Sequence, residues 1–218
     1  MPTPLKIDFV SDVSCPWCVI GLGGLEQALA RVGDAVSADI HFQPFELNPA
    51  MEAAGENIVE HIGRKYGSTP AQSAANRAAI RERAASVGFE MKTDENSLIY
   101  NTFDAHRLLH WAGLNGGQAA LKHALFKAYF TDGQAMNDTA VLVAAAGSAG
   151  LDTAEACRVL ETGQYADEVR QSEEHWRRAG INSVPAVIIN DRYLISGGQP
   201  PEYFEQALRQ IASETAGA

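Results

Sequence analysis

The sequence is poor in cysteine and in positive charge. Its 218 residues include only three cysteines, which excludes a secreted scaffold held together by several disulfides and allows one pair with one residue left over. Lysine and arginine number 17 against 27 acidic residues, a net charge of −10, so no basic stripe is available to grip the phosphates of a nucleic acid. With 46% hydrophobic and 20% charged residues, the chain is nevertheless expected to fold around a sizeable core.

Signals for export and for membrane insertion are also missing. Residues 1–10 lack a charged region, a long apolar region and a small-residue cleavage site, so we expect no secretory signal. The longest weakly polar stretch, 140–151, is shorter than the about 18 apolar residues that a membrane span needs. We therefore expect a soluble, cytoplasmic protein without a membrane partner.

The order of strand and helix patterns predicts an α/β protein whose sheet is interrupted by helices. Alternating apolar residues predict strands at 5–10 and 36–45 with a helix between them, which is a βαβ unit. Strand signals then vanish between about 57 and 179, where caps and glycines delimit successive helices. The alternation returns as a hairpin at 186–189 and 193–195, followed by a final amphipathic helix whose end, after Ser213, is expected to fray.

Several residues mark the expected helices of the central block. Thr69 precedes a proline and is expected to cap one helix, and Asp138 and Asp152 are expected to cap two others. A further helix is predicted over 97–112. The last helix of the block is expected to carry Glu173 on a solvated face.

Two cysteines lie where the first strand leads into the first helix. In Cys15-Pro16-Trp17-Cys18 the first cysteine falls at the N-cap and the last at N3. A thiolate on Cys15 would then accept from the backbone N–H of Cys18 and face the positive end of the helix dipole. Pro16 suits the first helical position, and Trp17 would lie exposed as an apolar contact for substrate. The spacing predicts dithiol–disulfide exchange, in which Cys15 attacks and Cys18 resolves the mixed disulfide.

A zinc site is the alternative explanation for a C-x-x-C pair. His106 and His110 lie four residues apart on one predicted helix, and with Cys15 and Cys18 they would complete a four-ligand set in a zinc-stabilised binding module. Their spacing from the cysteines is far from that of a compact finger, so we expect no metal. Cys157 lies among apolar residues of a capped helix and is expected to pack as a small buried hydrophobe.

A proline, Pro185, opens the first strand of the late hairpin. A βαβ unit with C-P-W-C at its helix head, followed by a Val-Pro that opens a ββα unit, resembles the thioredoxin fold. The long helical insertion between the two halves resembles the DsbA family of thiol–disulfide oxidoreductases. The segments 44–49, 101–108 and 197–200, which read P-F-E-L-N-P, N-T-F-D-A-H-R-L and G-G-Q-P, together with the missing signal peptide resemble the cytoplasmic FrnE-like branch of that family.

The resemblance covers essentially the whole chain and implies a thioredoxin-like fold with a large all-helical insertion. Residues 1–50 and 181–218 would form the two halves of the thioredoxin-like domain, and 51–180 the inserted domain. It implies that Cys15 is the nucleophile, that Cys18 resolves, and that Pro185 is a cis-proline facing them.

The resemblance also implies a set of substrate contacts. Val184 would offer backbone hydrogen bonds to an extended substrate, which gives little sequence preference. The helix that carries Asn101, His106 and Leu108 would lie over the active site. Asn101 and Leu108, seven residues apart, share a face, whereas His106 lies on a different one, so a contact with substrate and a packed or surface position are both open for His106.

The expected activity is that of an enzyme that reduces, forms or isomerises disulfides in proteins or small thiols. Its only redox group would be the Cys15–Cys18 disulfide; whether glutathione serves as a co-substrate, and whether the protein is a monomer or a homodimer, stays open. The alternative is a glutathione-dependent enzyme of the 2-hydroxychromene-2-carboxylate isomerase or kappa-class transferase type. Those enzymes are similar in architecture but use a serine-centred site, whereas this sequence has two cysteines there.

Overall fold

The computed structural model of the protein describes residues 2–216, in which a mixed sheet is surrounded by helices. The elements follow one another as β1 (Thr3–Ser11), α1 (Pro16–Val32), β2 (Val36–Pro44), β3 (Glu56–Asn57), α2 (Ile58–Tyr66), α3 (Pro70–Ser86), β4 (Leu98–Ile99), α4 (Phe103–Leu114), α5 (Gln118–Phe126), a π-helical turn (Lys127–Thr131), α6 (Thr139–Ser148), α7 (Thr153–Glu161), α8 (Ala166–Arg178), β5 (Ala186–Ile189), β6 (Tyr193–Ser196) and α9 (Pro201–Ala216). The prediction that the chain frays after Ser213 is wrong for residues 214–216, which belong to α9. Residues 217–218 lie outside the described range.

The main sheet joins the two ends of the chain. Its strand order is β2-β1-β5-β6, with β1 and β2 parallel and the other two pairs antiparallel. β1 occupies the interior because Ile7, Phe9 and Val10 are completely buried, and such a two-sided apolar strand needs neighbours on both edges. The predicted βαβ and ββα units are confirmed, and they form one sheet. The exact division into 1–50, 51–180 and 181–218 stays a prediction.

Close packing brings α1 onto the C-terminal half. A Cβ atom on Gly24 would lie 3.4 Å from the ring of Phe204 in α9, and one on Gly21 would lie 2.9 Å from Cγ of Pro185. Because these glycines have no side chain, the backbone of α1 can approach both elements. The head of α1 is thereby held beside the loop that precedes β5.

Between the two halves, the helical block contains two short strands that the sequence pattern does not show. β3 and β4 pair antiparallel, with Glu56 opposite Ile99, so the prediction that no strand lies between 57 and 179 is wrong. The helix predicted over 97–112 begins only at Phe103, since the preceding residues are used in this pairing. A long-range pairing of two residues has no local periodicity from which it could be predicted.

Side-chain caps begin three of the helices in this block, as predicted. Thr69 accepts from the backbone N–H of Gln72, Asp138 from that of Ala140 and Asp152 from that of Ala154. Each cap satisfies one of the N–H groups that a helix leaves unpaired at its start.

Glu173, in contrast, is not on a solvated face. Its side chain is completely buried, accepts from the backbone N–H of Glu46 at 3.1 Å and pairs with Arg170 at 2.9 Å. Arg170 also pairs with the buried carboxylate of Glu46 and lies 3.7 Å from the centre of the Phe103 ring. Arg170, one turn before Glu173, supplies the opposite charge, and the backbone of Glu46 after β2 supplies a hydrogen bond, so that this glutamate is buried with both partners.

The edge of the sheet at β2 is covered by one side chain of α5. The Gln118 amide oxygen accepts from the backbone N–H of Phe42 at 2.9 Å, and its amide nitrogen donates to the Phe42 carbonyl at 3.0 Å. This pair of bonds holds α5 beside β2. None of the helices within residues 2–216 combines the length and apolarity that crossing a membrane requires.

Candidate active site

The two cysteines of the C-P-W-C motif lie at the head of α1. Cys15 is the N-cap residue and donates its backbone N–H to the Asp12 carbonyl at 3.2 Å, while the Cys18 N–H donates to the Cys15 carbonyl at 3.1 Å. The expected cap, in which the Cys15 sulfur accepts from the backbone N–H of Cys18, is wrong. The Cys15 thiol instead donates to the carbonyl oxygen of Val184 at 3.6 Å. Both cysteines are free thiols.

The loop before β5 forms the opposite wall. The Val184–Pro185 peptide bond is cis, and the Pro185 carbonyl accepts from the backbone N–H of Gly197 at 2.8 Å. Val184 is half-buried and Pro185 is buried. The structure thus brings Cys15 together with Val184 and Pro185, a pair that is far from it in the sequence.

Exposure differs sharply along the motif. Cys15 is 3% exposed and Cys18 is completely buried, whereas Trp17 is 39% exposed. The guanidinium of Arg83 lies 5.9 Å from the centre of the Trp17 ring. Pro16, which lies between Cys15 and Trp17 in the sequence, is half-buried and begins the helix. Trp17 is therefore the large apolar side chain that this face presents to solvent.

Beneath the thiols, Asp12 connects three segments, a role that the sequence analysis missed. Its Oδ1 accepts from the backbone N–H of Ser14 at 3.1 Å, and its Oδ2 accepts from that of Leu47 at 2.7 Å. Nε2 of His106 lies 3.6 Å from Oδ1, and both side chains are buried. Burial raises the pKa of Asp12, but the contact with His106 and the two backbone N–H groups outweigh it and bring the pKa below its ordinary value. The sequence signal for this role of Asp12 is its position three residues before Cys15.

A second charge that the sequence analysis missed, Lys122 of α5, lies behind the thiols. Its side chain is 1% exposed, and its ammonium lies 4.8 Å from the centre of the Phe126 ring. Burial lowers the pKa of Lys122 to about 8, although the charges of Cys18, Asp12 and Cys15 oppose that change. Burial also raises the pKa of the Cys18 thiol well above its usual value. A cation at this position favours a thiolate on either cysteine.

Asn101 occupies a position other than the one expected, whereas His106 takes the packed position, one of the two left open by the sequence. Asn101 precedes α4 rather than lying on a helix; its Oδ1 accepts from the N–H of Phe103 at 2.9 Å, and its Nδ2 donates to Glu46 at 3.3 Å. His106 is packed beneath the thiols and does not reach the face that carries Trp17. These placements make both residues supports of the site; a contact with substrate stays a prediction for each.

The remaining candidates do not gather into a metal site. The His110 ring stacks on Tyr165 with 5.1 Å between centres, and no three His, Cys, Asp or Glu side chains of residues 2–216 could jointly hold a metal ion. Cys157 is half-buried and its thiol donates to Glu161 at 3.4 Å, so the expectation that it is buried is wrong. On α7 the core face carries Ala156 and Leu160, and Cys157 is turned about 100° from Ala156.

With this geometry established, comparison with known proteins gives the family. Residues 6–209 match the model of the DSBA-like thioredoxin domain. The chain belongs to that family. It is 34% identical to a solved structure described as a probable DsbA oxidoreductase from Streptomyces coelicolor, with a TM-score of 0.90 over 96% of this chain and 91% of that one.

Two further proteins are similar to this chain over most of its length. The Bacillus subtilis (strain 168) protein YwbO is 27% identical over 205 residues, which are 94% of this chain and 96% of YwbO. The cytosolic disulfide reductase DsbM from Pseudomonas aeruginosa, solved with GSH, is 17% identical with a TM-score of 0.62 over 94% of this chain and 98% of that one. At that identity, the likeness to DsbM concerns the fold alone. Membership of the DSBA-like family agrees with the thioredoxin-like fold and helical insertion described above.

Proposed function

We propose that this DSBA-like protein is a thiol–disulfide oxidoreductase in which Cys15 and Cys18 alternate between dithiol and disulfide. The observation that carries the proposal is the position of the Cys15 thiol, 3.6 Å from the Val184 carbonyl, at the start of a helix and beside Pro185. A sulfur at a helix N-terminus is stabilised as a thiolate by the helix dipole, and the thiolate is the form that attacks disulfides.

The reaction with a substrate disulfide takes two exchange steps. The Cys15 thiolate attacks one substrate sulfur, forms a mixed disulfide and releases the other sulfur as a thiolate. The Cys18 thiolate then attacks the Cys15 sulfur, so that the Cys15–Cys18 disulfide forms and the second substrate thiol leaves. Two electrons pass from the protein to the substrate, and a thiol such as glutathione, two molecules per cycle, would return them. With an oxidant in place of that thiol, the same steps run in reverse.

The charges behind the motif fit the second of these steps. The Cys18 thiol is buried and holds its proton strongly, so its attack requires stabilisation of the thiolate. Lys122, whose pKa burial lowers to about 8, is still mainly protonated at neutral pH and supplies a positive charge there. Asp12 and His106 hold the turn that precedes Cys15 in place.

The substrate face is formed by Pro16, Trp17 and Val184. The backbone of Val184 would pair with an extended segment of a protein substrate, and the exposed Trp17 ring would pack on its side chains. Because Val184 is half-buried and Trp17 is exposed, the face offers little beyond main-chain pairing and one apolar contact, and we expect it to accept varied sequences.

The proposal also covers the location of the protein in the cell and its branch of the family. The glutathione-bound DsbM neighbour is described as a cytosolic disulfide reductase, which supports glutathione as the reductant and the cytoplasm as the location. The assignment to the FrnE-like branch rests on the segments 44–49, 101–108 and 197–200. In a glutathione-buffered cytosol a DsbA-like potential would keep the pair reduced, which favours disulfide reduction or isomerisation.

The isomerase or transferase alternative predicts a different group at the head of α1. Enzymes of that type use a hydroxyl to activate bound glutathione, whereas here the N-cap and N3 positions are both thiols. The paired thiols support redox exchange over addition of glutathione. An assay with 2-hydroxychromene-2-carboxylate and glutathione separates the two, because the redox proposal predicts no isomerisation.

The test of the proposal is insulin reduction with dithiothreitol or glutathione as electron donor. We expect Cys15→Ser to abolish catalysis and Cys18→Ser to accumulate a mixed disulfide with substrate, visible by mass spectrometry. Cys157→Ser is the matched control and is expected to retain full activity, since that thiol lies on α7 and donates to Glu161 there. Activity undiminished in Cys15→Ser would overturn the proposal.

A further inference from the structure

A cavity separate from the thiol face lies between the edge strand β2 and the helices α4 and α5. Its volume is about 480 Å³, within the range of small-molecule sites. The two cysteines, Trp17, Val184 and Pro185 are not among the residues that line it. A substrate held at Cys15 would therefore leave this cavity unoccupied.

The cavity has a buried floor and an exposed rim. His106 and Lys122 line it and are 2% and 1% exposed, so they form the floor. Leu114, Ala119 and His41 also line it and are exposed, so they form the rim. The cavity thus leads from solvent at the edge of the sheet to two nitrogen-bearing side chains deep in the protein.

The floor carries an ammonium without an oxygen partner. Among residues 2–216, no carboxylate or carbonyl oxygen accepts a hydrogen bond from Lys122. Its ammonium lies over the ring of Phe126, 4.8 Å from the ring centre. An ammonium has three donors, so an acceptor that enters the cavity can pair with those that face it. Nε2 of His106, the other nitrogen at the floor, faces Oδ1 of Asp12 at 3.6 Å.

The charge balance of the lining favours an anion. In a chain with a net charge of −10, the cavity is lined by one lysine, three histidines and a single carboxylate. That carboxylate, Asp39, stands at the rim and is paired with His41 at 2.9 Å. The carboxylate of Asp12 is not part of the lining and faces Nε2 of His106 at 3.6 Å, which leaves the Lys122 ammonium as the cation at the floor of the cavity. Burial lowers the pKa of His110, which leaves it as an uncharged donor at neutral pH.

The walls distinguish between kinds of anion. Between rim and floor the cavity is lined by Ile40, Phe42 and Leu109, and the amide of Gln118 is engaged with the Phe42 backbone. Inorganic phosphate is bound by several converging N–H groups, which these walls do not offer. A single cation at the end of a partly apolar cavity suits a molecule with one carboxylate and a hydrocarbon body.

We propose that this cavity is a binding site for a small organic monocarboxylate, whose carboxylate is held by Lys122 while its hydrocarbon part lies against Ile40, Phe42 and Leu109. The site shares Lys122 with the charges that lie behind the thiols, but it uses none of the residues of the face at which a disulfide substrate would bind. It would stand even if Cys15 and Cys18 proved inactive in the insulin assay.

The test is a titration of the full-length protein with sodium butyrate, followed by backbone amide NMR at constant ionic strength. We expect saturable shifts concentrated in 39–44 and in the facing parts of α4 and α5. Lys122→Met should weaken butyrate binding by about tenfold or more, since a hydrogen bond to a charged group is lost. Lys127→Met is the matched control: this exposed lysine pairs with Asp132 and should leave the affinity unchanged within about twofold.

A second variant guards against a mere loss of folding. Ala119→Phe places a ring at the exposed rim without touching the floor, and we expect it to prevent butyrate binding while the rest of the spectrum is retained. Absence of saturable shifts in the wild-type protein would overturn the proposal, as would butyrate binding unaffected by Lys122→Met. Inorganic phosphate that binds as tightly as butyrate would overturn the choice of an organic carboxylate.

Discussion

Nε2 of His106 lies 3.6 Å from Oδ1 of Asp12, and neither side chain is more than 2% exposed. His106 belongs to the inserted helices, whereas Asp12 begins the turn that leads to Cys15. Because Asp12 also accepts from the backbone of Leu47, this contact is where the thioredoxin-like half and the helical block meet beneath the thiols. Its consequences are measurable in stability, and three further features of the site give predictions of their own.

Asp12→Asn is expected to lower the free energy of unfolding by about 3 kcal/mol at neutral pH. The amide keeps one acceptor, so the N–H of Ser14 or of Leu47 loses its partner, and His106 loses the facing charge. The pKa of Asp12 is lowered in the folded protein, so its contribution is complete above the unfolded value and is lost as the pH falls through the folded one.

Denaturant titrations of both proteins measure this difference. We expect a constant gap between wild type and Asp12→Asn from pH 7 down to about 4, and a shrinking gap below that. Asp34→Asn, on an exposed turn, is the control and should be neutral. A gap that is equally large well below pH 3 would show that the charge of Asp12 contributes nothing.

Lys122→Met is expected to stabilise the protein at pH 7, by up to about 3 kcal/mol, because it removes a buried ammonium. The pKa of Lys122 is lowered from 10.5 to about 8, so the unfolded chain holds this proton more strongly than the native one. Below pH 8 the full penalty of the buried charge is present in the wild type; between pH 8 and 10.5 that penalty disappears as the native lysine loses its proton.

The stability advantage of Lys122→Met over wild type should therefore fade as the pH rises from 8 to 10. Urea denaturation at several pH values, followed by circular dichroism, measures it. Lys127→Met again serves as the control and should show no such trend. A stability advantage of Lys122→Met that stays constant between pH 8 and 10 would contradict the burial of Lys122 and its lowered pKa.

Gly21→Ala is expected to destabilise the protein by about 1 kcal/mol. Alanine gains up to about 1 kcal/mol in helix propensity, but its Cβ would lie 2.9 Å from Cγ of Pro185 and 3.4 Å from Cα of Gly198, and overpacking of this kind costs about 1–3 kcal/mol. Gly63→Ala, within α2, meets only the Ser68 carbonyl at 3.4 Å and should be stabilising. Thermal unfolding of the two variants gives the comparison; equal stabilities would remove the case for a close approach at Pro185.

Trp17→Ala is expected to reduce kcat/KM for insulin by about tenfold, which corresponds to roughly 1.4 kcal/mol of lost contact with a protein substrate. For a small aromatic disulfide we expect a change of less than about twofold, because such a molecule reaches Cys15 without the indole. Tyr66→Ala, another exposed aromatic, on α2, should affect neither substrate. An equal loss on both disulfides would indicate that Trp17 supports the helix head and does not bind substrate.

Local patterns in the sequence predicted the elements on which the site is built. The alternation at 5–10 and 186–189 gave the interior strands, and the C-P-W-C motif gave the helix head, because strand periodicity and N-cap chemistry depend on neighbouring residues only. The caps Thr69, Asp138 and Asp152 were predicted for the same reason.

The residues that the sequence concealed are those whose partners are distant. Glu173 has the pattern of a surface position until Glu46, 127 residues away, donates its backbone N–H to it. Lys122 has the sequence environment of an ordinary helical lysine, and only the packing of α5 beside β2 reveals that it is buried. Cys157 was misjudged by one helical step, since the apolar residues beside it face the core and it does not.

The two bonds from Gln118 to Phe42 give the strand β2 a substitute for a neighbouring strand. Exposed strand edges invite pairing between copies of a protein and are a common origin of aggregation. An enzyme that binds extended segments through its backbone has particular reason to restrict where such pairing occurs. By capping the β2 edge with a side-chain amide, the fold discourages unfolded chains from adding to the sheet there, and the loop at Val184 remains as the proposed place of contact.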